Sequence, residues 1–114
     1  MTTTPEELQA KIAQIAGRYL DRVTREVGEL QTMIDKAAGD MNVVRDIEAL
    51  THRMHGSGAM LQFDEVSDHA GAMEKMAAAF INSGQIDQPR MAAALGRLRD
   101  AVQKACAIRQ QSAG

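Results

Sequence analysis

The stretch Ile47 to Phe63 reads IEALTHRMHGSGAMLQF, and its spacing decides the fold. An α-helix turns about 100° per residue. On that wheel Ile47, Leu50, Met54, Gly58 and Leu61 fall on one stripe, which must face a core. His52 points away from the stripe, and Arg45, Glu48, His55, Gly56 and Ala59 share its side. Gly56 lies one turn after His52 and has no side chain. A glycine inside an exposed helix costs about 1 kcal/mol relative to alanine. An imidazole beside such a clearing points to something bulky that must approach it.

The segments on either side read as helix too. Thr4-Pro5-Glu6-Glu7 has the form of a capping box with proline at the first helical position. Apolar residues then recur at Ile12, Ile15, Tyr19, Leu20, Val23, Val27, Leu30, Ile34 and Ala37. This is one long helix or two, with Gly17 as the expected break. Gly39-Asp40 closes it, and a helix over residues 42–61 follows. Asp64 is the expected N-cap of the next, with Val66, Ala70, Met73, Ala77 and Phe80 on one face. Asn82-Ser83-Gly84 ends that helix. Asp87 and Pro89 open the last, whose stripe is Met91, Leu95, Leu98, Val102 and Ala105. The tail after Arg109 is expected to fray. No window alternates with period two, and no Asn-Gly or Asp-Gly turn occurs. The predicted fold is all-α: an antiparallel up-down four-helix bundle with an additional short N-terminal helical segment, forming a single domain over residues 1–114.

Composition narrows the function. The chain has 114 residues, enough for a modest core without crosslinks. Aromatics are 3% (Tyr19, Phe63, Phe80), so the core must be aliphatic and rich in methionine. A net charge of −2 gives no electrostatic footprint for nucleic acid. The lone Cys106 excludes an internal disulfide and a cysteine-based zinc site, and reads as a partly buried helix residue. The N-terminal residues carry no signal-peptide pattern. No apolar run approaches the ~20 residues needed to span a bilayer. A cytoplasmic setting is the expectation.

Several chemistries fail on spacing. Gly56-Ser57-Gly58 looks like a fragment of a phosphate loop. It lies in helical periodicity and lacks the lysine and the preceding strand, which excludes a nucleotide site. Ser57 reads as an ordinary helix residue. His52 and His55 are neighbours on one helix surface, and with Glu48 they make half a metal site at most. Bundle metal sites draw Glu-x-x-His pairs from several helices. No second helix offers a matching set, and His69 borders an apolar stripe. A metal-binding bundle therefore stays an alternative, and the site is expected to hold no metal.

The run His52-Arg53-Met54-His55-Gly56-Ser57 resembles the signature of histidine-containing phosphotransfer (HPt) domains. Those show His, any residue, an apolar residue, Lys or another polar residue, Gly, then Ser or Ala. The similarity continues through Leu61-Gln62-Phe63, Val66, Ala70 and Met73-Glu74, and covers roughly residues 19–80 in pattern.

The resemblance implies that His52 is the phosphoacceptor. A neutral imidazole is nucleophilic, and histidine titrates near physiological pH. The donor would be the acyl phosphate of a response-regulator receiver domain, and a second receiver would take the group on. Gly56 would leave room for the phosphoryl group and the partner, with Arg45, Glu48 and Ala59 on the same contact face and Ser57 in support. His55 stands where the family often has lysine, and would stabilise phosphoryl oxygens when charged. The chain would need no cofactor of its own, the receiver supplying Mg2+. Partners would be receivers and a hybrid histidine kinase, with the chain acting as a monomer without kinase activity. The rival reading is a bundle that binds receivers or a kinase without being phosphorylated.

Overall fold

A computed structural model describes residues 3–113, with four helices: α1 (Pro5–Lys36), α2 (Met41–Met60), α3 (Asp64–Ser83) and α4 (Gln88–Ala113). Consecutive helices run antiparallel. Each packs on two neighbours, α1 on α2 and α4, and α3 on the same pair. The stripes read from the sequence meet at the centre. Leu30, Ile34, Val44, Ile47, Met54, Val66, Met73, Leu95 and Leu98 are all buried.

Local chemistry sets the ends. Thr4 caps α1, its Oγ1 accepting from the Glu7 backbone N–H at 3.1 Å, with Pro5 opening the helix. Asp40 caps α2, accepting from the Asn42 N–H at 3.0 Å. Asp87 accepts from the Arg90 N–H at 3.1 Å and caps α4. Gly84 takes φ 72° after α3, the left-handed turn that glycine allows. At the end of α1, Gln88 donates from Nε2 to the Ile34 carbonyl at 2.7 Å, tying α1 to the start of α4.

Three expectations need correction. Gly17 does not break α1, which is continuous, so the additional N-terminal segment is the overhanging start of that helix. At 1.5 Å per residue α1 spans about 48 Å against about 30 Å for α2, and Leu8, Ile12 and Ile15 are exposed on the excess length. Gly17 instead makes room for Arg109 of α4, which donates to the Ala13 carbonyl at 3.1 Å. Asp64 is the first residue of α3, not its cap. Phe63 holds that position without a side-chain hydrogen bond. The tail after Arg109 stays helical through Ala113, beyond which Gly114 lies outside the described residues.

The link between α2 and α3 is built without glycine. Gln62 adopts φ 64°, the Gln62 N–H bonds the Ala59 carbonyl at 3.2 Å, and the Phe63 N–H bonds the Gly58 carbonyl at 2.8 Å. This crossed pair is a Schellman closure, with a left-handed glutamine where glycine is usual. It sets Phe63 against Tyr19 of α1, ring centroids 5.4 Å apart and nearly parallel.

Candidate functional site

His52 stands on the outer face of α2 with its side chain 72% exposed. Its Nδ1 lies 2.7 Å from Oε2 of Glu74 on α3. A carboxylate only accepts, so Nδ1 carries the hydrogen. In the neutral ring that leaves the lone pair on Nε2, which has no hydrogen bond among the described residues. Glu74, 25% exposed, thus fixes both the tautomer and the tilt of the ring.

Two glycines bring α2 and α3 close enough for that contact. A Cβ at Gly58 would lie 2.9 Å from the Tyr19 hydroxyl and 3.2 Å from the Ser67 backbone nitrogen. At Gly71 it would lie 2.9 Å from the His55 ring. Tyr19 donates to the Met54 carbonyl at 3.1 Å, and burial pushes its pKa up to about 12, so the donor proton is retained. Thr51, wholly buried beside His52, donates to the Ile47 carbonyl of its own helix at 2.8 Å.

His55 turns into the α2–α3 seam. Its Nδ1 lies 2.8 Å from the Ser67 carbonyl and 3.0 Å from Ser67 Oγ, and that hydroxyl donates back to the His55 carbonyl at 3.0 Å. The ring nitrogen that would face a phosphoryl group is therefore at most Nε2. Gly56 is open, with nothing within 4 Å of a Cβ built there. Arg45 and Ala59 are exposed and Glu48 and Ser57 half-buried, so one accessible face carries His52 and its sequence-predicted neighbours. Glu48, His52 and His55 do not converge. Among the described residues no three His, Cys, Asp or Glu side chains are grouped to hold a metal ion.

The wall opposite α2 comes from α1. Arg22, Glu26, His52, Arg53, Gly56, Ser57 and Met60 line an open concavity of about 440 Å3. Arg22 sits with its guanidinium carbon 5.2 Å above the Tyr19 ring, and its Nε lies 3.6 Å from Glu26 Oε1. That oxygen is buried without a hydrogen bond. Burial raises the Glu26 pKa, with Arg22 opposing, Glu29 adding, and Arg53 and Arg25 opposing. Sequence reading did not find Glu74, Arg22 or Glu26 as site residues. Glu74 borders the buried stripe of α3, and its spacing alone does not say which neighbouring helix it meets.

The family model for the Hpt domain matches residues 7–108. The chain belongs to the Hpt domain family, the helical modules that carry histidine phosphotransfer in phosphorelays. Modules of this family are phosphocarriers, not kinases. Neither curated proteins nor solved structures gave a match. Among the described residues no helix is long and apolar enough to cross a membrane.

Proposed function

We propose that His52 is the phosphoacceptor of a multistep phosphorelay, taking the group from a receiver-domain phosphoaspartate and passing it to a second receiver. The observation that carries this is the pair His52–Glu74, which leaves Nε2 as an exposed, oriented nucleophile. In the step, the Nε2 lone pair forms the N–P bond as the acyl P–O bond breaks, and the carboxylate leaves with the electron pair. The charge that develops on the ring is met by Glu74 through the Nδ1 hydrogen, and no proton has to move. Transfer of this kind rests on positioning and charge stabilisation. On this reading the receiver supplies Mg2+ and its acidic residues, and docks over Arg45, Glu48, Gly56 and Ala59. The chain acts in the cytoplasm as a monomer, and a hybrid kinase is the source of the phosphate. Ser57 supports the helix below the acceptor. His55 holds the α2–α3 seam, and its contribution to the phosphoryl group is tested with His55→Lys, which should transfer at least as well as the parent near pH 7.5 and respond less to pH between about 5.5 and 7.5.

The deciding experiment is label transfer from a phosphorylated receiver. The parent should acquire acid-labile phosphate, and His52→Gln should acquire none while keeping its helicity and melting temperature. Stoichiometric labelling of His52→Gln would refute the assignment. Receiver binding by a parent that never takes label would favour the pure interaction module.

A further inference from the structure

A phosphoryl group on His52 adds close to two negative charges at neutral pH, and those charges need partners on this chain once the receiver has left. His55 has committed Nδ1 to Ser67 of α3, inside the α2–α3 seam. The cations that share the His52 concavity are Arg22, from α1, and Arg53, from α2. Arg22 is held beside it by a carboxylate. Glu26 Oε1 is buried with no hydrogen bond, has Arg22 Nε at 3.6 Å, and is close enough to Arg53 to be influenced by its charge. Arg22 lies over the Tyr19 ring with its guanidinium carbon 5.2 Å from the centroid, a contact with the ring face that consumes no hydrogen-bond acceptor. The space is about 440 Å3, against roughly 30 Å3 for one water in the liquid, so a phosphoryl group fits with its hydration.

We propose that Arg22 and Arg53 form a two-guanidinium cradle for the phosphoryl oxygens on His52, with Glu26 as the residue that positions Arg22 while the cradle is empty. This rests on His52 as the acceptor. It makes the wall of α1 part of the phosphoryl site and gives the carrier its own means of holding the dianion between partners. Guanidinium suits this because it presents several N–H donors in a plane that matches two oxygens at once.

The first arm of the test needs no receiver. The full chain is phosphorylated with phosphoramidate, a small donor that needs no docking, and the phosphohistidine is followed by phosphorus NMR across pH. Loss of a nearby cation raises the pKa of an anionic group. Arg22→Gln and Arg53→Gln should each shift the phosphoryl titration upward, and the double variant should shift it further. Each single change should also move the phosphoryl equilibrium with a receiver toward the receiver by about three- to tenfold, or about 0.7–1.4 kcal/mol. Arg25→Gln removes the same charge from the same helix but outside this concavity, and should leave the titration in place. Glu26→Gln should displace the Arg22 Nε resonance in the unphosphorylated protein and produce a smaller shift of the phosphoryl titration than either arginine change. An unchanged titration in the double variant, or an equal shift in Arg25→Gln, would overturn the cradle. A parent that yields no phosphohistidine while remaining folded would overturn the acceptor assignment itself, and the cradle with it.

Discussion

Gly56 and Gly58 lie two residues apart on α2, and the structure assigns opposite consequences to filling them. Around Gly56 a Cβ meets nothing within 4 Å. Alanine there gains helix propensity, up to ~1 kcal/mol. At Gly58 the added carbon would stand 2.9 Å from the Tyr19 hydroxyl and 3.2 and 3.3 Å from the Ser67 backbone. Neither neighbour yields cheaply. The tyrosine ring is stacked on Phe63 and bonded to the Met54 carbonyl, and the Ser67 backbone belongs to the first turns of α3. Overpacking costs ~1–3 kcal/mol. Losing the tyrosine hydrogen bond costs ~1 kcal/mol, which cancels the propensity gain. Gly58→Ala should therefore destabilise by about 1–3 kcal/mol, lowering the melting temperature by roughly 4–12 °C in a domain of this size. Gly56→Ala should raise it by up to ~4 °C. Urea unfolding and thermal melting at pH 7, both followed by circular dichroism, give the free energies and the melting temperatures. Gly56→Gln should keep its stability yet slow transfer from a phosphorylated receiver. The reverse pattern, Gly58 tolerant and Gly56 not, would mean that α2 is rotated and that His52 is not exposed.

Glu74→Ala should slow phosphorylation of His52 about ten- to hundredfold through loss of ring orientation, measured with a small phosphodonor so that docking plays no part. Gln62→Gly should stabilise by up to ~1 kcal/mol in urea unfolding, because glycine takes a positive φ without the side-chain penalty. Glu26→Gln should stabilise increasingly as pH rises. Burial disfavours the Glu26 carboxylate, so the folded chain holds that proton to higher pH than the unfolded chain, and stability is lost as pH climbs through the raised titration point. Arg22, Arg25 and Arg53 oppose this shift and Glu29 adds to it, so the parent-minus-variant difference in urea unfolding should grow above the usual carboxylate range and then level off. A constant difference from acid to neutral pH would contradict it.

Most of the fold was legible because each helix carries its own buried stripe and its own punctuation. Asp40, Gly84 and Asp87 mark boundaries by local chemistry that works the same in any bundle. The misreadings come from residues whose part is decided by a distant segment. Gly17 looks like a break until Arg109 arrives beside it from α4. Gln62 gives no sign of a left-handed turn, since glycine or asparagine would normally announce one. At the site, the wheel placed His52 and Gly56 on the accessible face, because exposure follows from the stripe on the same helix. It could not find Glu74, Arg22 or Glu26, which reach the site only through the packing of α3 and α1. His55 shares the wheel side of His52, yet a half-buried ring can bend toward Ser67 in a way that spacing does not encode.

The connection between α2 and α3 is three residues long, Leu61 to Phe63, and its consequence is an order of assembly. His52 and Glu74 are 22 positions apart, whereas Arg109 and the Ala13 carbonyl are 96 apart. Closing a long loop costs more chain entropy than closing a short one. The helical hairpin that orients the imidazole can therefore form from nearby sequence, while the α1–α4 seam waits for the two ends of the domain to meet. Read in reverse, that seam is where the native protein is expected to open first. Amide exchange should be fastest along residues 5–15 and 105–113, slowest in the hairpin, and the nucleophile should stay oriented through fluctuations that loosen the rest of the bundle.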